Sequence, residues 1–260
     1  MLALTSCGGG LSGGTAQGQD DSETSPETRN DTSRAIGFYA DGSLKGGFLL
    51  PLESSAHVKI FRERNRAWGT LTLVNTIIGA IKSFHAKFPA GERVQIGDLA
   101  AEHGGQISSV HLSHQNGLDA DIAYLQADHI ERNPNGLGPN GFGESFVREG
   151  EVTSNFDLKR NWFLLKEIIA RGNVTRIFVD PAIKSAFCDQ STRIDPKATS
   201  AIRTETLRRI RPYDDHADHF HMRIACPKNS PKCLSQDEPP AGAGCDDVQS
   251  VSTREHDLLD

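Results

Sequence analysis

Apolar positions along the chain fall into short blocks whose spacing switches between helical and strand-like. Val74, Ile77, Ile78, Ile81, Phe84 and Phe88 recur three and four residues apart, so Trp68 to Phe88 reads as a helix that Pro89 ends. Leu158, Trp162, Leu165, Ile168 and Ile169 give a second helix over Asp157 to Ala170, with Asp157 placed to cap it and Gly172 to stop it. Arg93 to Gly97 reads as a short strand and Val174 to Val179 as a buried one. Pro181 opens a short helix ending near Cys188, and Lys197 to Arg209 reads as a helix with a basic, solvated face. Two further segments alternate with the period of a strand. From Leu118 to Tyr124 the alternation puts Asp119 and Asp121 on one face; later, His219, His221 and Arg223 alternate with Phe220, Met222 and Ile224. These elements predict an α+β fold, a small antiparallel sheet packed by helices on one side.

The pattern fades at both ends. Gly8 to Arg34 is rich in Gly, Ser, Thr and acids and cannot bury enough surface to offset ordering, so it reads as a tether. The folded domain opens near Ile36, with irregular strands and turns in GFYADGSLKGGFLLPLE, and runs over residues 36–245. Residues 246–260 read as a loose acidic tail, and NPNGLGPNGFG, Asn133 to Gly143, as a loop placed to wall a groove. A hydrophobic content of 37% over 260 residues fits one domain with polar ends. The net charge of −6 gives no reason to expect nucleic acid, and no run is long enough to cross a membrane.

Candidate chemistry is concentrated in the two alternating segments. SVHLSHQNGLDADIAY holds His111, His114, Asp119 and Asp121, and RPYDDHADHFHMRIAC holds His216, His219 and His221, so five of the ten histidines lie in two windows. Gln115-Asn116-Gly117 lets the chain turn and bring His114 back beside Asp121, while His219 and His221 point into one space. Imidazole with carboxylate suits zinc, and three protein ligands leave a position for water. Asp119 is placed either to ligate or to orient a ligand histidine from behind. No HExxH motif supplies the usual helical glutamate base. A zinc knuckle fits poorly, because Cys226 and Cys233 stand too far apart. His85 and His103, outside both windows, read as structural.

HLSHQNGLDADI, followed downstream by HADHFHMRIACP, resembles the penicillin-insensitive murein endopeptidases, within a wider group of zinc peptidases that includes lysostaphin-type and D-Ala-D-Ala-cleaving enzymes. IGDLA, VTRIFVDPAIK and RPYDDH extend the resemblance over about Ile36 to Cys245. It implies that His114, Asp121 and His221 hold Zn2+ and that His219 is the catalytic imidazole. His216 and His111 match family histidines near the metal. The implied substrate is the peptide cross-link of peptidoglycan, between D-alanine and meso-diaminopimelate or between two diaminopimelates. With no serine to acylate, β-lactams are not expected to inhibit. Two other readings remain. A carboxypeptidase or dipeptidase of the same zinc group would release terminal D-alanine from uncross-linked stems. A non-catalytic, zinc-dependent murein-binding module would hold sacculi without product.

Four of the five cysteines lie within the expected domain, and four allow three pairings. Cys226 and Cys233 bracket a short turn-rich loop that a bridge could close; Cys188 with Cys245 would then pin the C-terminal arm, the pairing the resemblance favours. Disulfides imply an oxidising compartment, here the periplasm. Leu4-Thr5-Ser6-Cys7 resembles a bacterial lipobox, which makes Cys7 the candidate for acylation and outer-membrane anchoring. No basic stretch precedes it and the apolar run is far shorter than a signal core, so residues 1–7 fit a truncated signal, and an incidental Cys7 stays open.

Overall fold

The computed structural model describes residues 30–106, 112–133, 142–246 and 248. Its first part is β1 (Arg34–Gly37), β2 (Gly42–Lys45), β3 (Phe48–Leu49), β4 (His57–Lys59), β5 (Trp68–Gly69), α1 (Leu71–Lys87) and β6 (Val94–Ile96). Then come β7 (Asp119–Ala123), β8 (Val147–Arg148), β9 (Glu151–Val152), α2 (Leu158–Ile169) and β10 (Val174–Val179). The chain continues through α3 (Pro181–Ile194), α4 (Ser200–Arg209), β11 (Ile210–Pro212) and β12 (His219–Ile224).

The main sheet has six strands in the order β11-β10-β12-β7-β6-β4. Its four inner strands are antiparallel, which is the expected α+β architecture, but each edge adds a parallel strand, β11 on β10 and β4 on β6. The connections explain the edges. A parallel neighbour needs a long crossover, and here the crossovers run through α3 and α4 on one side and through α1 on the other. Strands of three residues have too little period to announce this in the sequence.

Alternation decides what each sheet face carries. Ala120, Ile122, Phe220 and Met222 join Leu73, Ile77 and Ile81 of α1 and Trp162, Leu165 and Ile168 of α2 in one apolar core. The register places His221 opposite Asp121 and Arg223 opposite Asp119, so all four project from the other face. The chemistry therefore sits on the back of the main core-forming sheet.

Helix boundaries follow local chemistry. The first helix begins at Leu71 rather than near Trp68, because Trp68–Gly69 pairs with Phe48–Leu49 and the Thr70 hydroxyl accepts from the Leu73 N–H at 3.2 Å. Asp157 caps α2 as expected, accepting from the Arg160 N–H at 2.9 Å. α3 does not end near Cys188 but runs to Ile194, since Ile183, Phe187 and Ser191 keep a buried face four residues apart. Thr199 caps α4, so that helix starts three residues later than Lys197.

Two disulfides form, Cys188–Cys245 and Cys226–Cys233. The first ties α3 to the C-terminal arm, where the buried Lys184 ammonium also donates to the carbonyls of Leu207 (2.6 Å) and Ala243 (2.7 Å). The second closes a loop that docks on β1, with the Gly37 N–H donating to the Lys232 carbonyl and the Leu234 N–H to the Gly37 carbonyl. Among the described residues no helix is long and apolar enough to cross a membrane.

Candidate metal centre

β7 delivers Asp119 and Asp121, β12 delivers His219 and His221, and the turn before β7 delivers His114. His114 has φ +66°, a left-handed conformation uncommon outside glycine and tolerated where surrounding contacts over-determine it. Those contacts are present. The His114 N–H donates to Asp119 Oδ2 at 3.2 Å, the Gln115 N–H donates to the Tyr39 carbonyl at 3.1 Å, and the Gln115 side-chain amide donates to the Ala40 carbonyl at 2.6 Å. At Gly117, φ is +75° and a Cβ would stand 2.9 Å from the Leu44 methyl groups, so the turn needs glycine there.

His114, Asp121 and His221 are all buried, and one donor atom from each lies within 4.8 Å of the others. His114 Nε2 is 3.2 Å from Asp121 Oδ1, and His221 presents Nδ1 to the same oxygen at 3.4 Å. The other ring nitrogen of His221, Nε2, faces Asp119 Oδ1 at 3.0 Å. Two imidazole nitrogens and one carboxylate oxygen, with the spare nitrogen of one imidazole against a second carboxylate, match the donor chemistry of a three-ligand zinc site. These residues fit a divalent metal.

At His114 burial is opposed by Asp121, with Asp119 and Asp98 beyond it, and the imidazole is raised above its usual value. Burial alone would raise the Asp121 carboxyl, but His114, with His219 and His221 beyond it, holds it well below the usual carboxylate range. Asp119 is likewise opposed by burial and held low by Arg223 and His221. His221 is pushed down by burial despite Asp119, which favours the neutral imidazole that coordinates metal. Asp119 is not in the converging trio: its Oδ1 accepts from Arg223 Nε at 2.8 Å and its Oδ2 from the His114 N–H. Arg223 is itself buried, with its guanidinium 4.0 Å above the Tyr39 ring and bonded to Gln236 at 2.9 Å. From the β6 side, the Asp121 N–H donates to the Asp98 carbonyl at 3.0 Å, while the Asp98 carboxylate pairs with Arg64 at 2.8 Å and lies 3.7 Å from buried Lys59.

His219 and His216 complete an imidazole row beside the trio, with ring centroids 5.0 Å apart. His219 Nε2 stands 3.9 Å from Asp121 Oδ1 and its Nδ1 is 2.6 Å from Asp218 Oδ1. His216 is half-buried, 6.1 Å from the His221 ring, with Nδ1 against the Asp214 carbonyl at 2.7 Å. The structure thus gathers His114, Asp121, His221, Asp119, His219 and His216; His111 and Cys7 lie outside the described residues. Sequence reading missed Arg223 and Asp218. Arg223 lay in view, in phase with the two histidines of β12, and its phase was the available signal. Asp218 lies between His216 and His219, outside the phase of the β12 histidines.

Comparison with known proteins agrees with this geometry. A family model described as penicillin-insensitive murein endopeptidase matches residues 35–258. The penicillin-insensitive murein endopeptidase of Yersinia pestis bv. Antiqua (strain Antiqua) is 34% identical over 212 residues, covering 82% of this chain and 73% of that protein. The protein of that name from Yersinia enterocolitica is 35% identical over 212 residues, with the same coverage. That from Escherichia coli O157:H7 is 33% identical over 216 residues, covering 82% and 74%. The chain belongs to the penicillin-insensitive murein endopeptidase family.

Proposed function

We propose that the protein is a zinc-dependent endopeptidase that hydrolyses peptide cross-links of peptidoglycan, between D-alanine and meso-diaminopimelate or between two diaminopimelates. The observation that carries this reading is the convergence of buried His114, Asp121 and His221 in a chain of this family. Zinc, when bound there, would supply Lewis acidity toward water and the scissile carbonyl at neutral pH. The chain supplies the rest. His114 on the turn before β7, with Asp121 and His221 on the paired strands, would hold the ion, and Asp119 orients two of them through the His114 N–H and His221 Nε2. His219, with Nε2 on the side of Asp121, is the group placed to move a proton or hydrogen-bond a developing oxyanion. His216 lines the same row, its ring 5.0 Å from that of His219. No acyl-serine is formed, so β-lactams leave the enzyme active.

The deciding experiment incubates purified protein with cross-linked muropeptide dimers, with and without chelator, and weighs the products. Monomers that appear without chelator, vanish with it and return on zinc addition are the expected result. Release of only a terminal D-alanine from monomers would replace endopeptidase by carboxypeptidase, and binding without product would replace catalysis by recognition.

We place the enzyme in the periplasm, held through an acylated Cys7 at the outer membrane, on the sequence LTSC and on two disulfides. Expression from the complete gene with labelled fatty acid is expected to give labelled, membrane-associated protein, and Cys7→Ser soluble or unprocessed protein. Unlabelled soluble parent protein would remove the anchor.

A further inference from the structure

Asp218 stands immediately before β12 and spends both carboxylate oxygens on the same neighbourhood. Oδ1 lies 2.6 Å from His219 Nδ1, and Oδ2 accepts from the Phe142 N–H at 3.3 Å. The ring of Phe142 lies flat on the His219 imidazole, with centroids 4.5 Å apart and planes 19° from parallel. Phe61 meets the Phe142 ring edge-on at 5.3 Å. On the remaining side is Gly97, anchored by its own N–H to the Asp121 carbonyl at 2.8 Å. A Cβ at Gly97 would stand 2.4 Å and 2.7 Å from two Phe142 ring carbons, closer than real contacts allow. A side chain at 97 and this placement of Phe142 exclude one another.

We propose that Asp218 is a positioning residue for His219 and that Phe142, admitted by the bare backbone at Gly97, is the second half of the same clamp. The proposal rests on the reading of His219 as the group that handles the proton or oxyanion. The chemistry is direct. A carboxylate can only accept, so the proton between the pair sits on His219 Nδ1 and the lone pair of the neutral ring is on Nε2. Nε2 is the nitrogen on the side of Asp121. Burial opposes the ionisation of Asp218, but its contacts with His219 and the Phe142 N–H together hold the carboxyl below its usual range, so it remains an acceptor. Asp218 sets the tautomer and one axis of the ring; the stacked Phe142 removes rotation about the other. The second Asp218 oxygen ties Phe142 to the ring that it covers.

The test uses the zinc-loaded full chain with cross-linked muropeptide dimers, zinc content, and 15N shifts of histidine-labelled protein, which report the His219 tautomer independently of turnover. Asp218→Ala is expected to lower kcat by about 10–100-fold, the usual range for a group that orients a functional histidine, with KM and zinc content near parental values. Asp218→Asn keeps an acceptor oxygen and should recover part of the loss. Phe142→Ala and Gly97→Ala should each lower kcat, and the double variant should be no worse than Phe142→Ala alone, since both act on one contact. An Nδ1–H tautomer in the parent that is lost in Asp218→Ala completes the expected pattern. Parental kcat in Asp218→Ala, loss of zinc from it, or an Nε2–H tautomer in the parent would each overturn the clamp. If the parent fails to cleave dimers yet shows the Nδ1–H tautomer that Asp218→Ala abolishes, the proposed reaction falls and the clamp stands.

Discussion

Replacing His114, Asp121 or His221 by alanine is expected to strip the zinc and abolish cross-link hydrolysis, whereas His219→Ala is expected to keep the zinc and lose turnover. The three ligands differ from His219 in geometry, not only in type. His114 and His221 stand 3.2 Å and 3.4 Å from Asp121 Oδ1, while His219 stands at 3.9 Å and turns its other nitrogen to Asp218. With two donors left, the site lacks the third protein ligand that open zinc sites use. Elemental analysis after exhaustive dialysis, beside a muropeptide assay, separates the two classes. Full zinc occupancy in all three ligand variants would sink the assignment. Zinc loss in His219→Ala would move that residue into the ligand set.

The second large effect is on stability. Asp119→Ala is expected to cost about 3–5 kcal/mol, because it leaves a buried guanidinium without its counter-charge. Arg223 is 1% exposed and would retain only Gln236, the Tyr39 ring and the more distant Phe178 ring. The same change removes the acceptor for the His114 N–H, in the left-handed turn that carries a proposed ligand. For a domain of this size the loss corresponds to a fall in Tm on the order of 10 °C. Asp119→Asn, which keeps an oxygen for Arg223, should fall between. Thermal unfolding followed by circular dichroism in zinc-free buffer isolates the term from metal binding. A Tm within experimental error of the parent would show that Arg223 finds another partner and that Asp119 serves the histidines alone.

The site was legible in the sequence to the extent that strands write themselves as alternation. Asp119 and Asp121 on one segment, and His219 and His221 on another, each declare a shared face, and Gln115-Asn116-Gly117 declares the turn that returns His114. Three features resisted for physical reasons. The parallel edges β4 and β11 are three residues each, too short to carry a period, and their direction is set by helical crossovers elsewhere. The run of α3 past Cys188 is hard to read because its buried positions are few and its other residues are polar, so the sequence shows little amphipathic contrast. Asp218 and Phe142 meet from 76 residues apart, across a contact that depends on the missing side chain of Gly97. Nothing local in either segment signals such a contact.

β12 is hydrogen-bonded along both sides, to β10 and to β7, and this makes the catalytic face a constraint on folding as well as on chemistry. A slip of one residue would exchange His219, His221 and Arg223 with Phe220, Met222 and Ile224. Imidazoles and a guanidinium would then enter an apolar core without partners, and a thioether would replace a nitrogen beside Asp121. Each error is penalised separately, the first by desolvation of polar groups and the second by an unmatched buried carboxylate. The residues proposed to do the chemistry therefore also choose the register, and misaligned pairings of the central strands are destabilised from both faces of the sheet at once.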